Sequence, residues 1–224
     1  MGLAAAKALL PKKAKVSIAS RSEERLAEAQ AEIQGQIGQK VETQSLDVTQ
    51  EEAVQKFFRE AGAFDHIVVT SVTFNAGSLH DLDTAVARQA MDGKFWGPYL
   101  VAKYAQINNG GSLVLFSGSV SRRPSPGATV MVAAAAAVEA LGRALALDLA
   151  PIRVNVISPG WVDTPLAASV LQEQREGFYQ QMAERLPVKR IGVPEDIAST
   201  VIHLMENSYI TGVVIDVDGG GLLI

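Results

Sequence analysis

The chain has 224 residues, of which 48% are hydrophobic and 20% are charged, and its formal net charge is −4. This composition is typical of a globular domain and excludes a disordered chain, which would carry fewer apolar residues and more net charge. The acidic balance, with no long basic run, also argues against general nucleic-acid binding.

Apolar periodicity, helix caps and turn residues predict alternating helices and strands. Ser22 is a suitable N-cap, and Pro11 and Gly38 are suitable helix ends. The predicted helices span residues 3–10, 22–37, 50–61, 83–107, 128–150, 164–186 and 194–205. The predicted strands span residues 15–20, 41–46, 66–70, 112–116, 153–157 and 213–217, with a turn at 108–111.

This alternation predicts the α/β class, a Rossmann-like, doubly wound parallel sheet with helices on both faces. No break in composition and no internal repeat divides the chain, so we predict a single domain over residues 1–224. Open parallel sheets bind ligands beyond the carboxyl ends of their strands. The segments that directly follow each predicted strand are therefore the candidate binding loops.

The loop after the first predicted strand indicates the kind of dinucleotide. A unit that prefers NAD has an acidic side chain at this strand end, which accepts from the ribose 2′-hydroxyl. This chain has Ser20 there, followed by Arg21 and Ser22. A carboxylate would repel a 2′-phosphate, whereas an arginine can bind it through charge-assisted hydrogen bonds. The loop therefore predicts NADP(H), the alternative being a solvated Arg21 at the start of a helix.

The next two strand ends provide further candidate contacts to the cofactor. Asp47 and Val48 follow the second predicted strand, where the Asp47 carboxylate could accept from the adenine amino group or could simply cap a helix. Thr70 and Ser71 follow the third strand, and their backbone would line the adenosine and its ribose.

After the fifth predicted strand, the run from Pro159 to Thr164 predicts a rigid turn. Pro159, Gly160 and Val162 could form a wall against the nicotinamide, while Thr164 bonds its amide or a phosphate.

These residues resemble the short-chain dehydrogenase/reductase family. Residues 153–165 are similar to the family's segment after its sixth strand, and residues 209–220 are similar to its C-terminal strand. Residues 46–48 and 64–69 fit as well, so the resemblance extends over essentially the whole chain. It implies NADP(H), hydride transfer to or from a small carbonyl or alcohol substrate, and a homodimer or homotetramer.

The beginning of the sequence departs from the family. The family opens with a strand and a glycine-rich turn of the form Thr-Gly-x-x-x-Gly-x-Gly, of which only the last glycine has a counterpart here, Gly2. The missing strand belongs between those predicted at 15–20 and 66–70. Unmade buried hydrogen bonds cost about 1–3 kcal/mol per group. We therefore expect that an N-terminal segment is absent from this sequence, or that another segment or subunit fills the gap.

The family's catalytic pair is also replaced. Its Tyr-x-x-x-Lys motif places both side chains on one helix face, and the residues at these positions here are Met131 and Ala135. Neither side chain can transfer a proton. The Asn75-Ala76-Gly77 segment superficially resembles another family motif, but it lies too far beyond the preceding strand.

Two side chains remain as catalytic candidates. Ser117 ends the fourth predicted strand and could bond a substrate carbonyl, with Ser119 as second choice; the alternative is a serine that caps a loop. Lys94 stands where the family often has an asparagine, and could supply positive charge near the cofactor ribose. Its alternative is a lysine that extends along a partly buried helix to reach water.

Two functions stay open at this point. The first is an atypical NADP(H)-dependent oxidoreductase, and the second is a non-catalytic NADP(H)-binding regulatory or structural protein on the same fold. A Rossmann-like methyltransferase is a third, less favoured class, because it does not predict the Pro-Gly turn at 159–160.

The sequence also constrains the compartment, the metal content and the membrane association of the protein. There are no cysteines, which excludes disulfides and thiolate metal sites, and His66, His80 and His203 are too scattered for a histidine site. No apolar run approaches the roughly 20 residues of a membrane span, and the N-terminus lacks a signal-peptide pattern. We expect a cytoplasmic protein that binds no metal, nucleic acid or membrane.

Overall fold

Helices and strands alternate through residues 1–73 and 77–224, the part of the chain that the computed structural model describes. Asn75 and Ala76 lie outside it. The helices are α1 (Gly2–Leu9), α2 (Glu23–Ile37), α3 (Glu51–Ala61), α4 (Thr84–Met91), α5 (Gly97–Tyr104), α6 (Thr129–Asp148), α7 (Pro165–Leu171), α8 (Arg175–Arg185) and α9 (Pro194–Glu206). The strands are β1 (Ser17–Ser20), β2 (Glu42–Ser45), β3 (Ala63–Val69), β4 (Gln106–Phe116), β5 (Arg153–Pro159) and β6 (Val214–Val217).

All the strand pairs are parallel, but the strands form two sheets. β1 pairs with β2, and the second sheet has the order β3-β4-β5-β6. The parallel α/β class is therefore as predicted. β1 and β3, on either side of the predicted missing strand, are not paired with each other.

The side chains of the four-stranded sheet alternate between two helical layers, as the two-residue period of a strand requires. Leu113 and Leu115 of β4 face the layer of α3, α5 and α6. Val114 and Phe116 face α1 and α9 on the other side. β5 is buried along its whole length, as expected for a strand covered on both faces.

Two polar side chains of β5 tie the sheet to the segment that leads into β6. The buried Arg153 donates to the carbonyls of Leu204, at 2.5 Å, and Met205, at 2.8 Å, at the C-terminal end of α9, where a cation satisfies free carbonyls. The buried Asn155 donates to the Ile210 carbonyl at 2.9 Å. These bonds explain how Arg153 and Asn155 are accommodated in a buried strand.

The two ends of α2 are formed by the residues that the sequence predicts. The Ser22 hydroxyl accepts from the Arg25 amide at 3.2 Å at the start of α2, and Gly38 ends this helix with φ of +72°. The left-handed conformation of Gly38 is one that residues with a Cβ rarely adopt.

The predicted turn at residues 108–111 is wrong as a strand boundary. These residues lie inside β4, where they form a bulge opposite β3: Phe64 pairs with Ile107, but His66 already pairs with Ser112. Gly110 has φ of +85°, so the turn chemistry bends the strand without ending it.

The long helix predicted over residues 83–107 is also wrong in part. It is divided into α4, a π-helical turn at Asp92–Trp96 and α5, and β4 begins at Gln106. A Cβ atom on Gly93 would lie 2.3 Å from Thr73 Oγ1, so the π-helical turn packs against the loop after β3 at a distance that only glycine permits.

By length and composition alone, α6 is apolar enough to cross a bilayer, contrary to the sequence-based expectation. This helix packs on β5 and β4, and buries Ala134, Ala135 and Val138. The core therefore accounts for the buried face of this helix, and its exposed face carries alanines.

The contact between α6 and β5 gives a test of this packing. Gly142→Ala would place a Cβ atom 2.3 Å from Val156 Cγ2, and overpacking of this kind typically costs 1–3 kcal/mol, so we expect a loss of about 1–3 kcal/mol in the free energy of unfolding. The control is Gly35→Ala in α2, where nothing lies within 4 Å. That substitution should stabilise the protein by roughly 0.5–1 kcal/mol. Urea denaturation measures both, and equal effects would contradict the close contact.

Candidate active site

The candidate side chains collect at one edge of the structure because the strands in each sheet run in the same direction. The segments that follow β1 to β5 carry Ser20, Asp47, Thr70, Ser117 and Gly160 at or near the strand ends. This is the edge at which open α/β sheets bind ligands.

The loop after β1 presents one free cation. Arg21 is exposed, and no hydrogen bond or ion pair holds its guanidinium among residues 1–73 and 77–224. The Ser20 hydroxyl accepts from the Ser22 amide at 3.3 Å, and the Ser22 hydroxyl caps α2. The two serines thus shape the turn, and Arg21 is available for a ligand.

Asp47 is engaged locally in the loop after β2. One of its carboxylate oxygens, Oδ1, accepts from the Thr49 amide at 2.9 Å and from the Thr49 hydroxyl at 2.8 Å. Asp47 therefore closes a turn in the loop and does not cap α3, whose N-cap is Gln50. Its Oδ2 is left for an adenine amino group. Val48 packs so closely against Gly97 that a Cβ atom on the glycine would lie 2.7 Å from Val48 Cγ2.

The loop after β3 meets both the first helix and the π-helical turn. A Cβ atom on Gly2 would lie 3.0 Å from Thr70 Oγ1, which places the start of α1 directly beside this strand end. The Ser71 hydroxyl donates to the Gly93 carbonyl at 3.0 Å. Three predicted cofactor contacts, Gly2, Thr70 and Ser71, are therefore brought together.

The turn after β5 is rigid for two reasons. A Cβ atom on Gly160 would lie 2.7 Å from Asp218 Cα, and Val162 forms a parallel bridge with Gly192. The Thr164 hydroxyl accepts from the Ala167 amide at 3.2 Å and so caps α7. Pro159 is buried in the strand, and the turn has the fixed backbone that its sequence predicts.

Lys94 is the most unusual group at this edge. It is buried, and its Nζ donates to the Ser117 carbonyl at 2.9 Å. Within the described residues no carboxylate pairs with it. Desolvation by burial lowers the pKa of Lys94 from 10.5 to about 8. An amine with such a pKa can both give and take a proton near neutral pH.

The Ser117 side chain lies inside the fold. Its hydroxyl is within hydrogen-bond distance of the Ala135 carbonyl, at 3.0 Å, and of Glu139 Oε1, at 2.9 Å. It is buried, so this arrangement favours the loop-capping alternative over direct contact with a substrate. Its role toward substrate stays a prediction. Met131 and Ala135 are also buried, at 6% and 1% exposure, and supply no polar group.

Sequence reasoning missed the buried Glu139, which organises the loop after β4. Its Oε1 accepts from Ser117, from the Ser121 hydroxyl at 2.6 Å and from Arg122 at 3.4 Å. Arg122 also pairs with Asp216 of β6. The sequence did offer one indication of this role: Glu139 lies among the apolar positions of an alanine-rich helix, and a buried carboxylate requires hydrogen-bond partners.

A second missed group lies beside the turn after β5. Arg175 donates to Asp163 Oδ1 at 2.6 Å, and the Tyr179 hydroxyl lies 3.3 Å from the same oxygen. Trp161 contacts Phe178 edge to face, with ring centroids 4.6 Å apart. These contacts fold α8 over the turn, and nothing in the periodicity of residues 164–186 indicated this packing.

Comparisons with known proteins found a matching family model and similar proteins. A family model described as enoyl-(acyl carrier protein) reductase matches residues 1–221. The short-chain dehydrogenase/reductase ATR9 of Stachybotrys chlorohalonatus is 32% identical over 236 residues, which cover 100% of this chain and 93% of that protein.

Two solved structures are also similar to this chain. A small-chain dehydrogenase in complex with NADPH is 40% identical, with a TM-score of 0.77, over 82% of this chain and 87% of that one. The MalC reductase/Diels-Alderase of Malbranchea aurantiaca is 28% identical, with a TM-score of 0.92, over 100% of this chain and 92% of that one.

This chain belongs to the short-chain dehydrogenase/reductase family. The predicted family and the Rossmann-like α/β fold are confirmed. The predicted class of NADP(H)-dependent oxidoreductases is confirmed as well. The roles of the individual site residues stay predictions.

The described residues of this short-chain dehydrogenase/reductase fit the two ends of NADP(H). The free Arg21 guanidinium suits a 2′-phosphate, and the turn closed by the contact of Gly160 with Asp218 offers a rigid wall for a flat ring. Among residues 1–73 and 77–224, the predicted contact for the pyrophosphate between them is Gly2, at the start of α1.

The burial of Lys94 predicts a pH-dependent stability. Unfolding restores the ordinary pKa of 10.5, so between pH 8 and 10.5 the unfolded chain binds more protons than the folded one, and stability rises with pH in that window. We expect Lys94→Met to raise the free energy of unfolding at pH 7 by about 1–3 kcal/mol. This advantage should shrink as the pH approaches 10.5.

Urea denaturation from pH 7 to 10 measures this effect, with Lys40→Met, at an exposed lysine, as control. A constant difference between wild type and Lys94→Met would contradict the lowered pKa.

Proposed function

We propose that this chain is an NADP(H)-dependent oxidoreductase that reduces a small carbonyl substrate, or oxidises the corresponding alcohol, with Lys94 as the group that exchanges the proton. The observation that carries the proposal is the buried Lys94 amine at the end of β4, which has a pKa of about 8 and no carboxylate partner among the described residues. NADP(H), when bound, supplies or accepts the hydride.

The cofactor would be held at its ends. Arg21 binds the 2′-phosphate, with Ser20 and Ser22 shaping the loop, and Asp47 Oδ2 accepts from the adenine amino group beside Val48. Thr70 and Ser71 line the ribose next to Gly2. Pro159, Gly160 and Val162 form the wall for the nicotinamide, and Thr164 closes the turn. The relative solved with NADPH supports this choice of cofactor.

Lys94 then takes the place of the absent tyrosine and lysine. In the reducing direction its ammonium gives a proton to the carbonyl oxygen of the substrate and becomes a neutral amine, which regains a proton from water. In the oxidising direction the neutral amine accepts the hydroxyl proton. The bond from Nζ to the Ser117 carbonyl holds the amine at the strand end. Glu139 keeps that loop in position through Ser117 and Ser121.

A specific observation favours a second candidate, a non-catalytic NADP(H)-binding regulatory or structural protein. Met131 and Ala135 fill the positions of the usual catalytic pair with buried apolar side chains, and the Ser117 hydroxyl is turned into the fold. General acid–base help is typically worth 10²–10⁴-fold in rate, so a chain without it would bind the cofactor and turn over little.

We also propose a homodimer or homotetramer in the cytoplasm. The exposed alanines of α6 support the assembly, because small side chains permit a close approach of two helices; they are Ala133, Ala136, Ala140 and Ala144.

The role of Arg21 is tested by cofactor selectivity. A hydrogen bond to a charged group contributes about 1.5–3 kcal/mol, so we expect Arg21→Ala to weaken NADPH binding roughly 10- to 100-fold while NADH binding changes little. Quenching of Trp96 and Trp161 fluorescence measures both affinities. Arg143→Ala, an exposed arginine on α6, is the control, and an equal loss for NADPH and NADH would contradict the assignment.

The role of Lys94 is tested by turnover. With a panel of carbonyl substrates and NADPH, we expect Lys94→Met to lower kcat by about 10²–10⁴-fold with an unchanged NADPH affinity. In the wild type, carbonyl reduction should fall as the pH rises through about 8, because the acid loses its proton, and alcohol oxidation should rise.

A double variant separates the two candidate functions. If the wild type is inactive and Met131→Tyr with Ala135→Lys creates turnover, the non-catalytic candidate is supported. If the wild type turns over and Lys94→Met retains full activity, the enzyme does not use this lysine.

A further inference from the structure

Trp161 is an exposed aromatic residue at the binding edge of the sheet. It follows Pro159 and Gly160 directly after β5, and it is 43% exposed. The next residue, Val162, is buried in the core, so the turn sends one side chain inward and its neighbour to the surface. Single exposed apolar side chains are common on proteins. The position of this ring and the contacts that hold it therefore decide whether it has a function.

The backbone on both sides of Trp161 is fixed by hydrogen bonds. The Gly192 amide donates to the Trp161 carbonyl at 3.0 Å, and the Asp163 amide donates to the Gly192 carbonyl at 2.9 Å. On the other side, the Gly160 amide donates to the Val217 carbonyl of β6 at 3.0 Å. The indole is thus carried by a backbone that has little freedom to lose when a ligand binds.

The helix α8 holds the ring itself. The rings of Trp161 and Phe178 meet edge to face, with centroids 4.6 Å apart and planes at 67°. Such a contact is favourable because an aromatic ring has a negative face and a positive edge. Arg175 and Tyr179 of the same helix both reach Asp163 Oδ1, at 2.6 Å and 3.3 Å. These bonds keep α8 over the turn, and Phe178 therefore orients an indole that is still partly open to a ligand.

The surroundings of the indole indicate what kind of group covers it. The carboxylate of Asp163 is compensated by Arg175, so the charges beside the ring balance each other. A neutral group loses little hydration when it covers the indole, whereas an ionised group loses much more. Among neutral groups, a flat aromatic ring gains an additional interaction with the indole through offset or edge-to-face packing.

We propose that Trp161 determines the substrate class by packing against an aromatic ring next to the reacting carbon, so that the substrates are aryl ketones or the corresponding aryl alcohols. This inference rests on the proposed function, since the turn that would form the wall for the nicotinamide also carries Trp161. Adjacent Cα atoms lie about 3.8 Å apart. The ring of the substrate therefore belongs close to its carbonyl carbon and not at the end of a long chain.

A first experiment observes the ring contact without requiring turnover. The chain contains 2 tryptophans, Trp96 and Trp161, so a ¹⁵N-labelled sample of the whole protein with saturating NADP⁺ gives one indole N–H signal for each. The variants Trp96→Phe and Trp161→Phe assign the two signals. We expect acetophenone to shift the Trp161 signal, because the ring current of the bound ketone acts on a nearby N–H, and to leave the Trp96 signal in place.

A second experiment compares two matched ketones. Acetophenone and cyclohexyl methyl ketone have the same number of carbon atoms and differ in the aromaticity of the ring. Isothermal titration calorimetry on the protein with NADP⁺ should show acetophenone binding roughly 2- to 10-fold more tightly. Trp161→Leu, which keeps an apolar side chain without a ring, should abolish this preference. Trp161→Phe should retain most of it.

The matched control is another exposed aromatic side chain. Tyr209 precedes β6 and therefore lies toward the amino end of the sheet, away from the edge that binds ligands. Tyr209→Leu should leave both affinities and the shift of the Trp161 signal unchanged. Circular dichroism confirms that each variant is folded.

The outcomes separate this inference from the function on which it rests. A shifted Trp161 signal, with the aromatic preference lost in Trp161→Leu, supports the ring site even where no hydride transfer is detected, a result that would count against the oxidoreductase alone. An unmoved Trp161 signal, or an aromatic preference that persists in Trp161→Leu, overturns the ring site. Turnover of both ketones in that case would leave the oxidoreductase proposal standing.

Discussion

The hydrogen-bonding requirement of a parallel strand is the constraint on which the rest of this structure depends. Buried backbone groups need partners, and β3, β4, β5 and β6 pair side by side in one ladder, with a bulge between β3 and β4. β1 and β2 form a separate pair, connected to the rest through helix packing of α1 and α2. The candidate site is divided in the same way, because Arg21 and Asp47 follow the pair while Lys94, Ser117 and Gly160 are held by the ladder.

Burial determines the chemistry on the ladder side of the site. Lys94 is buried away from water, and its Nζ donates to the Ser117 carbonyl. The loss of hydration lowers the pKa of Lys94. Glu139, also buried, has found hydroxyl and guanidinium donors instead. The two charges lie on either side of Ser117, one at its carbonyl and the other at its hydroxyl. A serine that the family resemblance presents as a catalytic candidate thus serves here as the junction between a buried amine and a buried carboxylate.

Local sequence patterns predicted most of the elements and their caps. Ser22 begins α2 with a side-chain cap, and Gly38 ends it with a left-handed backbone conformation. The failures occurred where a local pattern was outweighed by packing. Residues 108–111 have strong turn chemistry, yet β3 continues beside them and the strand absorbs them as a bulge. The helical periodicity after residue 83 does not reveal that Gly93 meets Thr73, which accompanies the π-helical turn.

The sequence by itself determined the parallel α/β class, the loops that follow each strand, and the apolar residues Met131 and Ala135 on the long alanine-rich helix. Each of these depends on residue identity, spacing or local propensity, which are written along the chain. Only the tertiary structure decided that Ser117 faces inward, that Glu139 holds its loop, and that Lys94 is buried without a carboxylate among the described residues. Side-chain direction and desolvation arise from contacts between residues far apart in sequence, and no local pattern encodes them.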